Sequence, residues 1–162
     1  MAEESYPMTP AGREKLRLRL KQLKDVERHE NVRDIEAALE HGDLRENAEY
    51  HAAKERQGQI DAEIRLVEHT LGRAQVIDPA DIDSETIGFG ATVTLLDMET
   101  DKEQVYALVG EHETDVDRGR ISIKTPVARA LLGKREGDEV TINLPKGVRE
   151  YEVVSVAYQA LD

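Results

Sequence analysis

The chain has 162 residues, 35% of them charged and 39% apolar, with a formal net charge of −12. It contains no cysteine and no tryptophan, which excludes disulfides, thiol nucleophiles and cysteine-zinc sites and leaves an aliphatic core of modest size. Residues 1–77 carry 13 basic and 16 acidic side chains and residues 78–162 carry 9 and 18, so avid binding to a bare phosphate backbone is not expected.

No apolar run approaches the ~18 residues that span a membrane. The opening MAEESYPMTP is too polar and acidic for a secretory signal, so a cytoplasmic protein is expected.

Thr9-Pro10 reads as a helix start, with threonine as cap and proline in the first turn. Leu16, Leu20, Leu23 and Val26 follow at helical spacing. The stripe lapses over residues 27–31 and resumes with Val32, Ile35 and Leu39, which predicts a kink or stutter near His29. Gly42 breaks the pattern, Asp43 reopens it, and Ala53, Ile60, Ile64, Val67 and Leu71 form a second seam. Two helices of ~30 residues joined by a tight turn bury such seams by packing antiparallel, as a rod ~45 Å long with Gly42-Asp43 at its tip.

After Ala74 the helical period ends, and residues 76–90 read as a linker rich in Pro, Asp, Ser and Gly. Residues 91–97 and 103–109 read as a β-hairpin and 120–124 as a short strand. Residues 126–133 run from Pro to Gly and predict a short helix, and 138–144 and 149–158 predict two more strands. The expected class is α+β: an antiparallel helical coiled-coil hairpin over 1–77, a linker over 78–90, and an antiparallel sheet with one helix over 91–162.

The tip sequence HGDLRENAEY holds Asp43, Glu46 and Glu49 at three-residue spacing. One reading is a capping box, with Asp43 accepting from the N–H of Glu46 and Glu46 reaching back. It leaves unexplained the apolar Leu44 at the end of a rod, and the delivery of carboxylates to the end of a thin projection. Carboxylate oxygens suit Mg²⁺, and two acids could complete a site that another protein has half built.

The stretch GDLRENAEYHAAKE (42–55) resembles the tip of the GreA family of bacterial transcript cleavage factors. The resemblance continues through MTPAGREKL, RAQVID, GATVTLLDMETD and GRISIKTPVARALLGKREGDEV, in the family's order and over nearly the whole chain. It is nearer to GreA than to its sister GreB, since no extended Arg/Lys run crosses the second helix. The resemblance implies an FKBP-like second domain and a coiled coil that enters the secondary channel of bacterial RNA polymerase. It implies that Asp43 and Glu46 help hold a second Mg²⁺ and the attacking water there, so that polymerase cleaves its own backtracked RNA. By that implication the chain binds no cofactor alone, is not itself an enzyme, acts as a monomer and meets the RNA 3′ end inside the complex.

Arg45, Asn47, Tyr50 and Lys54 follow as candidates to face that RNA. Ser122, Thr125, Pro126 and Arg129 match the family's polymerase-docking region, although Thr125-Pro126 also reads as an ordinary helix cap. Arg13, Arg17, Lys21, Lys24 and Arg28 share a helix face that reads more simply as a solvated surface than as an RNA track. His41 and His51 flank the tip without the further ligands zinc needs. Two rival functions remain: a related channel-binding inhibitor without cleavage activity, and a prolyl isomerase, for which Phe89, Tyr106, Tyr151 and Tyr158 make a thin aromatic wall.

Overall fold

The structure, a computed structural model, describes residues 4–42 and 47–162. It separates into two compact units, Glu14–Arg73 and Met1–Arg13 together with Ala74–Asp162.

The first unit is a helical hairpin. Helix α1 (Pro10–Gln22) passes through a π-helical turn at Leu23–Glu27 into α2 (Arg28–Leu39), and α3 (Ala48–Gly72) returns. The pairs Asn31–Ala53, Arg28–Asp61 and Lys24–Glu68 run in opposite senses along the two arms, so the arms are antiparallel. Leu23, Ile60, Ile64 and Val67 form the buried seam, flanked by Leu16, Leu20 and Leu71.

The expected stutter is present, but its effect on the seam differs from the sequence reading. A π turn widens the repeat from i+4 to i+5 and rotates everything after it. Val26, Val32 and Leu39, placed in the stripe by spacing, are exposed, while Asn31 and Ala38 are buried. The seam of α2 therefore continues through Asn31, half-buried Ile35 and Ala38.

The second unit is built on a five-stranded sheet of order β5-β4-β3-β7-β6. Its strands are β3 (Ala91–Asp97), β4 (Glu103–Val109), β5 (Arg120–Ser122), β6 (Glu139–Leu144) and β7 (Gly147–Tyr158), with helix α4 (Pro126–Leu131). Alternation in β3 sends Ala91, Val93 and Leu95 into a core shared with Leu108, Leu131, Ile142 and Val153. A bulge between Thr94 and Leu95 shifts the β3–β7 register. The sheet is mixed and not wholly antiparallel, because β5 lies parallel to β4 with Leu108 opposite Ile121. Gly119, at φ +70°, makes the turn into β5, and a Cβ there would meet the Val105 carbonyl oxygen at 2.5 Å.

Two segments sit elsewhere than the sequence suggested. The opening residues join the sheet unit because β1 (Tyr6–Met8) pairs in parallel with β2 (Ala74–Val76). The stretch read as a linker is packed: Pro79 is buried, and Ile87 enters the core with its N–H on the Lys134 carbonyl at 2.8 Å. The Tyr158 hydroxyl fastens the same stretch, donating to the Thr86 carbonyl at 2.6 Å and accepting from the Gly88 N–H at 2.9 Å.

Glu113 organises the start of the chain in this unit. Its buried carboxylate accepts from the N–H of Thr9 at 3.0 Å, from the N–H of Gly110 at 3.2 Å, and from the Thr9 hydroxyl. That hydroxyl in turn caps α1, accepting from the Gly12 N–H at 3.1 Å.

Candidate functional site

Asp43, Leu44, Arg45 and Glu46 lie outside the described residues. The sequence places them between Gly42 and Asn47, the described residues at which the two arms of the hairpin end. The geometry of those ends defines the frame that carries the acids.

Helix α2 finishes with a glycine stop. Gly42 takes φ +90°, and its N–H donates to the Leu39 carbonyl at 3.3 Å. The His41 N–H donates to the Ala38 carbonyl at 3.1 Å. Helix α3 starts at Ala48, and its cap is Asn47, whose Oδ1 accepts from the Tyr50 N–H at 3.0 Å. The cap thus falls four residues beyond Asp43, where the capping-box reading had put it. The other end of the same amide, Nδ2, donates to the Ala38 carbonyl at 2.7 Å. One side chain therefore starts α3 and adds a further donor to a terminal carbonyl of α2 that already accepts from the His41 N–H.

The surroundings are polar and exposed. His41 Nε2 lies 3.3 Å from Glu49 Oε2 across the turn, with both side chains mostly exposed. Tyr50 is half-buried, its ring edge-on to His51 at 5.7 Å between centroids. Lys54 Nζ donates to Gln57 Oε1 at 2.8 Å on the exposed face. Asn47, expected to face RNA, has both amide atoms engaged inside the hairpin. Below the turn a groove of about 460 Å³ runs between α2 and α3, and Glu30, Asp34 and Glu49 stand on its walls.

Farther down the shaft, ion pairs join the arms. Arg19 forks between Glu63 and Glu27, each at 2.7 Å, and Arg56 meets Glu27 at 2.7 Å. Hydrogen bonding to Glu63 holds the Arg19 guanidinium above its ordinary pKa. In the basic stripe, Arg17 pairs with Glu14, Lys24 with Glu68 and Arg28 with Asp61 at 3.2, 2.8 and 4.0 Å. These exposed pairs fit the solvated-face reading.

In the sheet unit, the four docking candidates divide by role. Ser122 is buried, and its Oγ accepts from the Lys124 N–H at 3.1 Å. Thr125 donates to the Ser122 carbonyl at 2.8 Å and caps α4 by accepting from the Ala128 N–H at 3.2 Å. Pro126 and Arg129 are exposed. The two hydroxyls shape the loop, and the proline and arginine face outward from it.

Sequence reasoning missed two residues that matter to this architecture, Asn31, whose buried amide donates to the Ala53 carbonyl at 2.9 Å, and Glu113, and it picked out Asn47 for RNA and not as the cap of α3. The available signal for Asn47 was its place immediately before a helical run, the position an N-cap prefers.

A family model described as transcription elongation factor, N-terminal, matches residues 6–76, and one described as transcription elongation factor, GreA/GreB, C-term, matches residues 82–158. The chain belongs to the GreA/GreB family of transcription elongation factors. It is 49% identical over 160 residues to transcription elongation factor GreA of Francisella tularensis subsp. novicida (strain U112), spanning 98% of this chain and 100% of that protein. The same identity and coverage hold for GreA of Francisella tularensis subsp. tularensis (strain SCHU S4 / Schu 4). Among solved structures, the GreA factor homolog 1 (Gfh1) protein of Thermus thermophilus aligns at 30% identity and TM-score 0.44, covering 94% of this chain and 99% of that one. The GreA/GreB family position makes this chain a transcription elongation factor. Among the described residues, no helix is long and apolar enough to cross a membrane.

Proposed function

We propose that this elongation factor enters the secondary channel of bacterial RNA polymerase and stimulates the polymerase's own cleavage of backtracked RNA. The observation that carries the reading is the position of Asp43 and Glu46 within a chain matched along 98% of its length to GreA factors: both acids fall between Gly42 and Asn47, where the hairpin turns. The chain acts as a monomer and as an activator, with the hydrolysis belonging to polymerase.

The donor chemistry fits Mg²⁺. Two carboxylates offer hard oxygens but too few for an octahedral shell, which suits an ion shared with other ligands. Among the described residues no group of three or more His, Cys, Asp or Glu side chains could hold a metal ion. When bound, such an ion offsets the charge that develops on the attacking and leaving oxygens of an in-line displacement. Asp43 and Glu46 would supply oxygens to it and orient water. By this reading Tyr50 and Lys54, together with Arg45, which lies outside the described residues, would face the RNA. Pro126 and Arg129 are the exposed part of the docking loop, which Ser122 and Thr125 hold in shape.

The isomerase reading loses ground on the aromatic residues. Tyr151 is buried in the sheet core, and the Tyr158 hydroxyl is closed onto Thr86 and Gly88. The test is to assemble a stalled, backtracked polymerase complex and follow RNA length at limiting Mg²⁺ with and without this chain. The reading requires faster shortening when it is present. Unchanged RNA, or slower shortening, contradicts it.

A further inference from the structure

We infer that Arg118 and Arg120 form a recognition site for an aspartate in an exposed segment of a partner protein, and that the chain's own Asp162 holds this site as a replaceable occupant. The inference does not depend on the cleavage-factor reading, since every residue in it belongs to the sheet unit.

Both guanidinium groups converge on the same two oxygens. Arg118 donates to the main-chain carbonyl oxygen of Asp162 at 3.2 Å and to its Oδ1 at 2.5 Å. Arg120 donates to Oδ1 at 3.0 Å and to the same carbonyl oxygen. The two arginines hold the Asp162 carboxyl below its ordinary pKa, Arg118 foremost. One residue is thus read by its main chain and its carboxylate together, and forked bonds of this kind are geometrically selective.

The arginine half is built in and the aspartate half is not. Arg120 exchanges two main-chain bonds with Asp115, at 2.8 and 3.0 Å. Gly119, between the arginines, donates to the Val116 carbonyl at 3.1 Å and accepts from the Ala107 N–H at 2.9 Å. The Arg120 side chain is 11% exposed and that of Asp162 is 93% exposed. An ion pair with one partner so open to water is weak, so its occupant can exchange.

The neighbouring surface is also left unused. The strand registers align Arg120, Ala107, Thr92 and Ala157 in one row, on the face opposite the one that sends Val93 and Leu108 into the core. Thr92 Oγ1 in this row is buried and has no hydrogen-bond partner among the described residues. Val105, on the same face of β4, and Val116, in the turn before Arg118, are exposed. A peptide offers polar main chain to the threonine and apolar side chains to the valines. A nucleic-acid backbone offers the valines nothing, and the 18 acids against 9 bases of residues 78–162 repel it.

The probe is a fluorescently labelled peptide of the sequence AYQALD, residues 157–162, with an amidated end, titrated with the full chain and followed by anisotropy. In the parent, Asp162 competes from within the chain at high effective concentration, so Asp162→Ala should bind the peptide at least about tenfold more tightly. Adding Arg118→Gln or Arg120→Gln to Asp162→Ala should weaken binding about tenfold, as should asparagine in place of the peptide's aspartate. Arg118 is the more exposed of the two arginines, so Arg118→Gln keeps the test decisive if near-ultraviolet circular dichroism shows Arg120→Gln to be misfolded. Equal binding by the parent and Asp162→Ala, or binding indifferent to the arginines, overturns the inference and leaves Asp162 as a tail anchor. Displacement of the peptide by inorganic phosphate or single-stranded RNA more readily than by unlabelled peptide also overturns it, in favour of a phosphate site. Dimers of the parent that dissociate on Asp162→Ala, measured by sedimentation, overturn it in favour of tail exchange between two copies of this chain.

Discussion

Gly12 lies so close to Glu113 that a Cβ on the glycine would fall 2.2 Å from the carboxyl carbon of the glutamate. The contact explains why helix α1 has a glycine in its first turn, where alanine would be the better helix former. The helix approaches a buried carboxylate that also receives the Thr9 and Gly110 N–H groups, and only a residue without a side chain allows it.

Gly12→Ala should therefore destabilise the sheet unit despite its higher helix propensity, by about 1–3 kcal/mol from overpacking. Glu113→Gln should cost a similar amount, about 1–3 kcal/mol, because an amide NH₂ then confronts N–H donors that have lost their acceptor. Urea unfolding followed by near-ultraviolet circular dichroism checks both. Parent-like stability in Gly12→Ala would show that Glu113 moves aside freely.

Asn31 should matter for the match between the arms. Its amide crosses from α2 to the Ala53 carbonyl in a seam otherwise built from alanines and aliphatics. Asn31→Ala should lower hairpin stability by about 1 kcal/mol. Amide exchange should quicken in α2 and in the facing part of α3, leaving the sheet unit unaffected.

Asp97 sets a pH limit. Its carboxylate accepts from the N–H groups of Glu99 and Thr100 at 2.9 and 3.3 Å and from Arg149 at 2.6 Å. The Glu99 N–H, then the Arg149 guanidinium, hold it below the ordinary carboxylate range. A depressed folded pKa stabilises the fold above the unfolded value of about 3.9, and that contribution is lost as pH falls through the folded value. Acid unfolding of the sheet unit should move to higher pH in Arg149→Met, and the difference between parent and variant should vanish once Asp97 is protonated in both. A pH-independent difference would assign the effect to packing of the arginine stem.

Tyr158→Phe should release the segment around Ile87. The ring stays, but the Gly88 N–H and Thr86 carbonyl lose their partner. A cost of about 1–3 kcal/mol is expected, with faster amide exchange at Gly88 as the local sign.

Much of this architecture was legible because its signals are local. Strands β3 and β4 coincide with the stretches 91–97 and 103–109 read from β-branched and apolar residues, and α4 begins at the Pro126 that the sequence marks. What escaped detection depends on distant partners. Tyr6–Met8 is too short, and carries a proline, so it does not read as a strand until Ala74–Val76 lies beside it. Parallel pairing of β5 follows from the path of the 110–119 connection, which leaves no mark in the alternation of residues 120–124. Glu113 sits among charged loop residues and reads as surface until Thr9 is brought to it. One π turn was enough to exchange Val32 and Leu39 for Asn31 and Ala38 in the seam, since any spacing rule carries its phase error forward. At the tip, Asp43 and Glu46 lie outside the described residues, while the cap of α3 was misplaced because several polar residues in a row could each have served.

The central claim is tested most directly by comparing the parent with Asp43→Asn, Glu46→Gln and the double variant in cleavage of backtracked RNA at limiting Mg²⁺, with polymerase binding measured in parallel by competition. The account predicts unchanged binding and circular dichroism in all three, a cleavage rate lowered at least about tenfold by either single change, and partial recovery as Mg²⁺ is raised. Parent-like cleavage by the double variant, bound to polymerase as tightly as the parent, would contradict it.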